Sequence, residues 1–145
     1  MNTPSVADDL LRAAAALSRW ASSQAGLGAP SGVFRLLALA EDLGPIRIGD
    51  LAQADHTSQP AVTRQAARLC ELGWVERTVD PQDARATLVA VTDAGREALA
   101  EARRARGEAL AGLLAEAGLP DERVRGAVEL LDQLLQATRG VTGKE

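Results

Sequence analysis

The sequence predicts a mainly α-helical fold that carries a small β-hairpin, and two observations support this class. Of the 145 residues, 46% are apolar but only 2% are aromatic. Alanine, leucine and valine must therefore fill the core, which favours close packing of helices. Apolar residues recur at helical spacing over most of the chain, whereas the alternation typical of strands is confined to Ile46–Ile48 and Trp74–Val91.

Glycine and proline positions divide the first part of the chain into three helices and one short strand. We expect a helix over about residues 6–24, a helix over about 33–43, an edge strand over 46–48 and a helix over 50–55. The last of these helices is too short to be stable alone. Leu51 and Ala52 must therefore anchor it against its neighbours.

A fourth helix is predicted between a hydroxyl cap at Thr57 or Ser58 and a stop at Gly73. Pro60 fits the first turn, where its missing N–H leaves no hydrogen bond unmade. Helical spacing gives this helix two different faces. The apolar face consists of Val62, Ala66 and Leu69. The opposite face, which is rich in hydrogen-bond donors, consists of Gln59, Thr63, Arg64 and Arg68.

After Gly73 the alternation predicts two strands, over 74–79 and 87–91, joined by a protruding loop of about seven residues. Asp83 and Arg85 lie in that loop. Thr92 is placed to cap a long helix, and Pro120 is placed to begin a last one.

The outer helices carry apolar stripes, and the stripe of the last helix consists of Val124, Val128, Leu131 and Leu135. The small middle region cannot cover this much apolar surface. We therefore expect a partner, and an identical chain is the simplest one.

The overall charge argues against a nucleic-acid partner, because DNA-binding domains are usually basic, whereas this chain has a net charge of −4 and a pI near 5.1. Between Ile46 and Arg96, six arginines stand against seven acidic residues. A positive surface therefore requires that the fold turn the acidic side chains away from it.

The fourth helix, the hairpin with Asp83-Ala84-Arg85, and the VTDAG segment at Val91–Gly95 follow one another as in a winged helix-turn-helix. In these segments the chain resembles the MarR family of transcriptional regulators, most specifically over Ile48–Leu99. The resemblance implies one MarR-like domain over residues 1–145. It further implies a winged helix-turn-helix core over about 31–98 and dimerisation helices over about 5–24 and 99–139.

The resemblance also implies that the fourth helix enters the major groove of double-stranded DNA and that the hairpin, or wing, follows the adjacent minor groove. By position, the side chains that would face DNA are Ser58, Gln59, Thr63, Arg64, Arg68 and Arg85. A guanidinium can fork onto guanine O6 and N7 or hold a phosphate, and a glutamine can pair with adenine. The alternatives are a solvated face for the arginine pair and a capping role for Ser58.

Arg85 at the wing tip would enter a narrow, A·T-rich minor groove, where the negative potential is concentrated. Asp83 would support the wing by bracing the Arg85 guanidinium. The alternative is a mobile loop with an incidental ion pair worth less than about 1 kcal/mol.

Three positions depart from the family's pattern. His56 stands in a turn where the family often has glycine, and Gln65 stands where an apolar residue is common. Arg47 is followed by Gly49, where a serine-like helix cap would be usual. These departures affect the geometry of the turn and the inner packing but leave the order of elements unchanged.

The residues give little support to other classes of protein. The chain has one histidine and one cysteine, so we expect no cofactor, no metal site and no enzymatic activity. Cys70 is either a thiol sensor or, far more commonly for such a residue, a small core residue. A single cysteine and the lack of a leader or an apolar span predict a cytoplasmic protein that does not associate with membranes.

The resulting hypothesis is a homodimeric DNA-binding regulator, usually a repressor in the MarR family, that binds an imperfect palindrome. A small effector, for which the resemblance implies an aromatic or phenolic acid, would bind between the outer helices and the winged region. The alternative is a winged-helix protein-interaction module that does not bind DNA, and this alternative rests on the acidic balance of the chain.

Overall fold

The computed structural model describes residues 4–25 and 31–142. Its elements, in chain order, are α1 (Pro4–Gln24), α2 (Ser31–Leu43), β1 (Ile46–Arg47), α3 (Ile48–Ala54), α4 (Gln59–Glu71), β2 (Val75–Asp80), β3 (Asp83–Val91), α5 (Asp93–Glu116) and α6 (Asp121–Thr142). The predicted class, mainly α-helical with a small β-wing, is confirmed. Over these same residues, every helix is too short or too polar to cross a membrane.

The described residues form two compact units that divide between Ala109 and Leu110 within α5. The first contains α1 to α4, the sheet and most of α5. The second contains the end of α5 and α6, whose Val128, Leu131 and Leu135 are exposed. Exposed apolar side chains also line α1, among them Leu10 and Leu17. The apolar stripes predicted for the outer helices are therefore uncovered in the single chain.

The core of the first unit lies where α2, α3, α4 and the sheet meet the start of α5. Its largest fully buried side chains are Leu36, Leu37, Leu51, Val62, Leu69, Val89 and Leu99. As predicted, Leu51 and Ala52 anchor the short helix α3. Cys70 packs against this core as a half-buried side chain. Because the apolar face of α4 is fully buried, the rotation of α4 about its own axis is fixed by the core.

Helices α3 and α4 end in the same way, with a backbone turn in the left-handed region. At the end of α4, the N–H groups of Gly73 and Trp74 donate to the carbonyls of Cys70 and Leu69. Gly73 has φ +73°, which glycine adopts without steric cost. At the end of α3, His56 takes this conformation with φ +54°. The histidine noted in the sequence therefore occupies a position that favours glycine.

The sheet has three antiparallel strands in the order β1-β3-β2, and its hairpin differs from the prediction. The strands reach Asp80 on one side and Asp83 on the other, leaving a turn of two residues, Pro81 and Gln82. The predicted seven-residue loop is therefore wrong. The strand assignment extends into a segment that has little local preference for a strand. Arg85 thus lies on β3 near the tip, in the register shift between the Val79–Thr87 and Asp80–Asp83 pairs.

A hydrogen-bonded junction joins the end of the α4–β2 connection to the start of α5. The Thr92 N–H donates to the Trp74 carbonyl over 3.0 Å, and the Thr92 hydroxyl donates to the Gly73 carbonyl over 2.6 Å. The same hydroxyl oxygen accepts the Gly95 N–H over 3.1 Å, so Thr92 caps α5 as predicted. Gly95 is buried against the Trp74 carbonyl, which leaves no room for a side chain.

Candidate nucleic-acid interface

The outer face of α4 presents a row of exposed polar side chains. Buried Val62, Ala66 and Leu69 hold the inner face, as the sequence predicted. All five α4-region residues predicted to face DNA are exposed on the opposite side, namely Ser58, Gln59, Thr63, Arg64 and Arg68. The structure therefore brings these five side chains together on one surface. It leaves their contact with DNA a prediction.

Three of these side chains make local contacts. The Ser58 hydroxyl accepts the Ala61 N–H over 3.4 Å and so caps α4. The Thr63 hydroxyl donates to the Gln59 carbonyl over 2.8 Å, which leaves its oxygen lone pairs and its methyl group for an outside partner. The Gln59 amide lies beside Gly49 at the start of α3.

The two arginines of α4 differ in their surroundings. The Arg68 guanidinium lies 3.1 Å from the Glu71 carboxylate, one turn along the helix. In the part of the chain that the structure describes, Arg64 has no carboxylate within 4.0 Å. Because an exposed ion pair is weak, Arg68 can exchange Glu71 for a phosphate. Arg64 can bind a phosphate or a base without first breaking an ion pair. Arg64 is therefore the stronger candidate for a contact in the groove.

Asp83 supports the wing through the backbone. Its carboxylate accepts the Arg85 N–H over 3.0 Å and lies 4.0 Å from the Arg47 guanidinium. We expected it to brace the Arg85 guanidinium, and the ion pairs of the described residues include none between these two side chains. The Arg85 side chain is exposed and free to enter a groove.

An ion pair that the sequence analysis missed connects β1 to the tip of the hairpin. The Arg47 guanidinium donates to one oxygen of the Asp80 carboxylate over 2.5 and 2.9 Å. The other oxygen accepts the Gln82 N–H over 2.9 Å. These backbone and side-chain hydrogen bonds hold the pKa of Asp80 below its ordinary value, and the same pair raises the pKa of Arg47. The two residues are 33 positions apart, so no local pattern could have revealed the contact.

The role of Arg47 also explains its departure from the expected pattern. Arg47 occupies the N-cap position of α3 and makes no side-chain cap hydrogen bond there. Its guanidinium is engaged with Asp80 instead. A position that is ordinarily occupied by a small capping residue is thus occupied by an arginine that binds the wing.

A cavity of about 530 Å³ lies within the first unit, between α1, α2 and α5. Its lining combines a buried Phe34 with the hydroxyls of Ser18 and Ser22 and with three arginines, Arg19, Arg35 and Arg106. Arg35 also binds the Asp55 carboxylate over 3.2 Å. Within residues 4–25 and 31–142, Arg19 and Arg106 have no carboxylate within 4.0 Å. The cavity therefore offers uncompensated positive charge next to an aromatic ring.

A helix-turn-helix whose second helix exposes cationic residues, followed by a hairpin wing with an arginine near its tip, defines a winged helix-turn-helix domain. Comparisons with known proteins point in the same direction. Residues 31–87 match the model of the MarR family. The resemblance to the MarR family that the sequence indicated is therefore confirmed over these residues.

Individual relatives and solved structures show similarity of the same kind. An uncharacterized HTH-type transcriptional regulator of Mycobacterium bovis is 37% identical over 89 residues, which are 61% of this chain and 62% of that protein. The alignment thus spans less than two thirds of this relative. A mutant MarR from E. coli has the same fold, with a TM-score of 0.76 and 23% identity over 93% of this chain and 98% of the other.

A second structure of that mutant MarR contains operator DNA. It matches with a TM-score of 0.62 and 23% identity, over 93% of this chain and 99% of the other. At this identity the match establishes the fold alone. The operator is a ligand of that protein, and any DNA contact of this chain has to be argued from its own residues.

Proposed function

We propose that this chain is a sequence-specific DNA-binding transcriptional regulator that acts as a homodimeric repressor. The observation that carries the proposal is the exposed face of α4. The core fixes its orientation, and no carboxylate of the described part of the chain engages its Arg64. Arg64 and Arg68 supply base and phosphate contacts in the major groove, and Arg85 supplies the contact in the minor groove. The operator DNA bound by a structural relative supports the same geometry.

Dimerisation follows from the apolar faces of α1 and α6, which are too extensive to remain in water in a single chain. Two copies related by a two-fold axis place two α4 helices about one turn of B-form DNA, roughly 34 Å, apart. The operator is then an imperfect palindrome. A measurement of mass in solution tests the dimer independently of DNA, and a monomer at micromolar concentration would refute it.

DNA binding is tested by selecting bound fragments from genomic DNA and measuring their affinity with variants. Arg64→Ala and Arg85→Ala each remove a proposed contact, and each should weaken binding about 5- to 100-fold, on the order of 1–3 kcal/mol. Arg12→Ala is the matched control, because Arg12 is an exposed arginine on α1 whose charge is already paired with Asp8 and Asp9. Equal affinity in all four proteins would refute the proposed interface.

The alternative is a winged-helix module that binds only protein, and the salt dependence of binding distinguishes it from the proposed regulator. DNA binding through several phosphates weakens steeply with salt concentration, whereas docking on an apolar face does not. Retention of DNA at 50 mM salt and its loss at a few hundred millimolar supports the regulator. The absence of any retained DNA at 50 mM supports the interaction module.

We further propose that an organic anion with an aromatic ring occupies the α1–α2–α5 cavity and releases the protein from DNA. Arg19 and Arg106 attract the anion, and Phe34 packs against its ring. Arg35 connects the cavity to the turn before α4, because its partner Asp55 also accepts the Thr57 hydroxyl over 3.0 Å. An anion that draws Arg35 away from Asp55 therefore loosens the turn that positions α4.

Benzoate and its neutral counterpart benzamide probe this cavity. Benzoate should raise the melting temperature of the protein and that of Arg12→Ala, but not that of the double variant Arg19→Ala/Arg106→Ala. Benzamide should have little effect on any of them. Stabilisation of all three proteins by benzoate would place the anion elsewhere and refute this assignment.

A further inference from the structure

The two faces of the wing differ in charge, and one face contains an arginine that has no assigned role. Along β2 and β3, successive side chains point to opposite faces. The pairing places Arg77 opposite Val89 and Val79 opposite Thr87. Arg77, Val79 and Thr87 form what we call the cationic wing face, and all three side chains are exposed. Arg85 precedes Thr87 by two residues on β3, beyond this regular pairing, and its side chain is also exposed.

The acidic residues of β2 point the other way. Glu76 pairs with Ala90 on the opposite face, and Asp80 is neutralised there by Arg47. Among the described residues, neither Arg77 nor Arg85 has a carboxylate within 4.0 Å. Strand alternation thus separates Arg77 from the acidic residues of β2, which favours an approach to DNA by a chain with a net charge of −4.

The cationic wing face also points toward the side of the sheet on which α4 lies. It continues the face that carries Val75, Val89 and Val91, which pack in the same core as Val62 and Leu69 of α4. As the hairpin extends beyond the core, this face emerges into solvent. Arg77 emerges first, two residues beyond buried Val75. Arg85 lies farther toward the tip, beyond the regular pairing of the two strands.

We infer that Arg77 binds a phosphate on the sugar-phosphate strand that separates the major groove occupied by α4 from the minor groove occupied by the wing tip. This inference rests on the proposed function. A protein that inserts a helix in one groove and a hairpin tip in the next must cross that strand at the base of the hairpin. Arg77 is the exposed cation there, and the small uncharged pair Val79 and Thr87 lets the strand approach closely.

A phosphate contact contributes to affinity without sequence preference and adds about 0.9 to the slope of log affinity against log salt concentration. With one Arg77 in each wing of a dimer, Arg77→Ala should lower the slope by about 1.8. Between 50 and 200 mM salt, the wild type should then lose about 12-fold more affinity than the variant. The variant should fold normally, since Arg77 is exposed and bonds to no other described side chain.

The experiment measures affinity by fluorescence anisotropy on a selected fragment and on an A·T-to-G·C variant of it, over 50–200 mM salt. Arg77→Ala should reduce the slope by the same amount on both fragments, and Arg77→Lys should restore it because the charge is kept. Arg12→Ala should match the wild type. A wild-type slope in Arg77→Ala, alongside a reduced slope in Arg85→Ala, would overturn the inference while leaving the proposed function intact. A wild-type protein that binds neither fragment would overturn both.

Discussion

Replacing Gly95 by alanine tests the junction that attaches α5 to the winged region. A Cβ atom on Gly95 would lie 2.1 Å from the Trp74 carbonyl oxygen, 2.9 Å from its carbonyl carbon and 3.0 Å from a Val91 methyl group. Backbone atoms cannot rotate out of the way, so α5 must move by about 1 Å to restore van der Waals distance.

That movement opposes the hydrogen bonds of the junction. The Thr92 N–H would leave the Trp74 carbonyl, and the Thr92 hydroxyl would be drawn from Gly73. Overpacking costs about 1–3 kcal/mol and a lost hydrogen bond about 1 kcal/mol, while the better helix propensity of alanine returns up to about 1 kcal/mol. We expect Gly95→Ala to lower the free energy of unfolding by about 3 kcal/mol and the melting temperature by roughly 10 °C.

The same helix supplies the control. Gly107 is exposed on α5, and a Cβ there meets no atom within 4 Å. Gly107→Ala should therefore raise stability by about 1 kcal/mol through helix propensity alone. Both variants are compared with the wild type by urea and thermal unfolding at one protein concentration, because the proposed dimer would make stability concentration-dependent. If Gly95→Ala is as stable as Gly107→Ala, the junction is not rigid and the reasoning fails.

Three further substitutions have definite expected effects. Because the pKa of Asp80 is lowered in the folded protein, the charged carboxylate stabilises the fold at pH values above its ordinary pKa of 3.8. This stabilisation is lost as the pH falls through the lower pKa that Asp80 has in the folded protein. The difference in unfolding free energy between wild type and Asp80→Asn, measured by urea unfolding, should thus be constant from pH 5 to 7, shrink below about pH 4 and vanish at the lowest pH. A difference that grows on acidification would contradict the ion pair. His56→Gly should raise the melting temperature and add up to about 1 kcal/mol, because glycine adopts φ +54° freely, and a loss of stability would mean that the imidazole makes a compensating contact. Gln65→Met should stabilise by about 1 kcal/mol in the same assay, because the buried Gln65 side-chain oxygen has no hydrogen-bond partner among the described residues. A destabilised variant would show that a water or a ligand satisfies this oxygen.

The features that could be predicted from the sequence are those set by local chemistry. Ser58 and Thr92 as caps, Gly73 as a stop, and the buried face of α4 all follow from spacing and residue type within one element. The outward direction of Arg64 follows from the same periodicity. These features required no knowledge of which elements meet in space.

The features that the sequence analysis missed depend on contacts between distant segments. The hairpin extends to Asp83 because β3 pairs with β2, although Ala84, Arg85 and Ala86 have little preference for a strand. The Arg47–Asp80 ion pair and the shared face of Arg77, Val79 and Thr87 likewise depend on strand register. Alternation along β2 by itself separates Arg77 from Glu76, so this part of the cationic wing face was present as a signal in the sequence.

Under the proposed function, the separation of charge on the wing affects how the protein behaves on DNA that lacks an operator. Because the total charge is negative, the duplex repels the molecule on average, whereas the approach through the arginines of α4 and the wing is attractive. Because non-specific attraction to DNA is weak, the residence time on an unrelated DNA site is short. A few well-placed arginines, and not a high overall positive charge, then account for the protein's retention on DNA. Such a protein should leave random DNA quickly and carry little nucleic acid through purification.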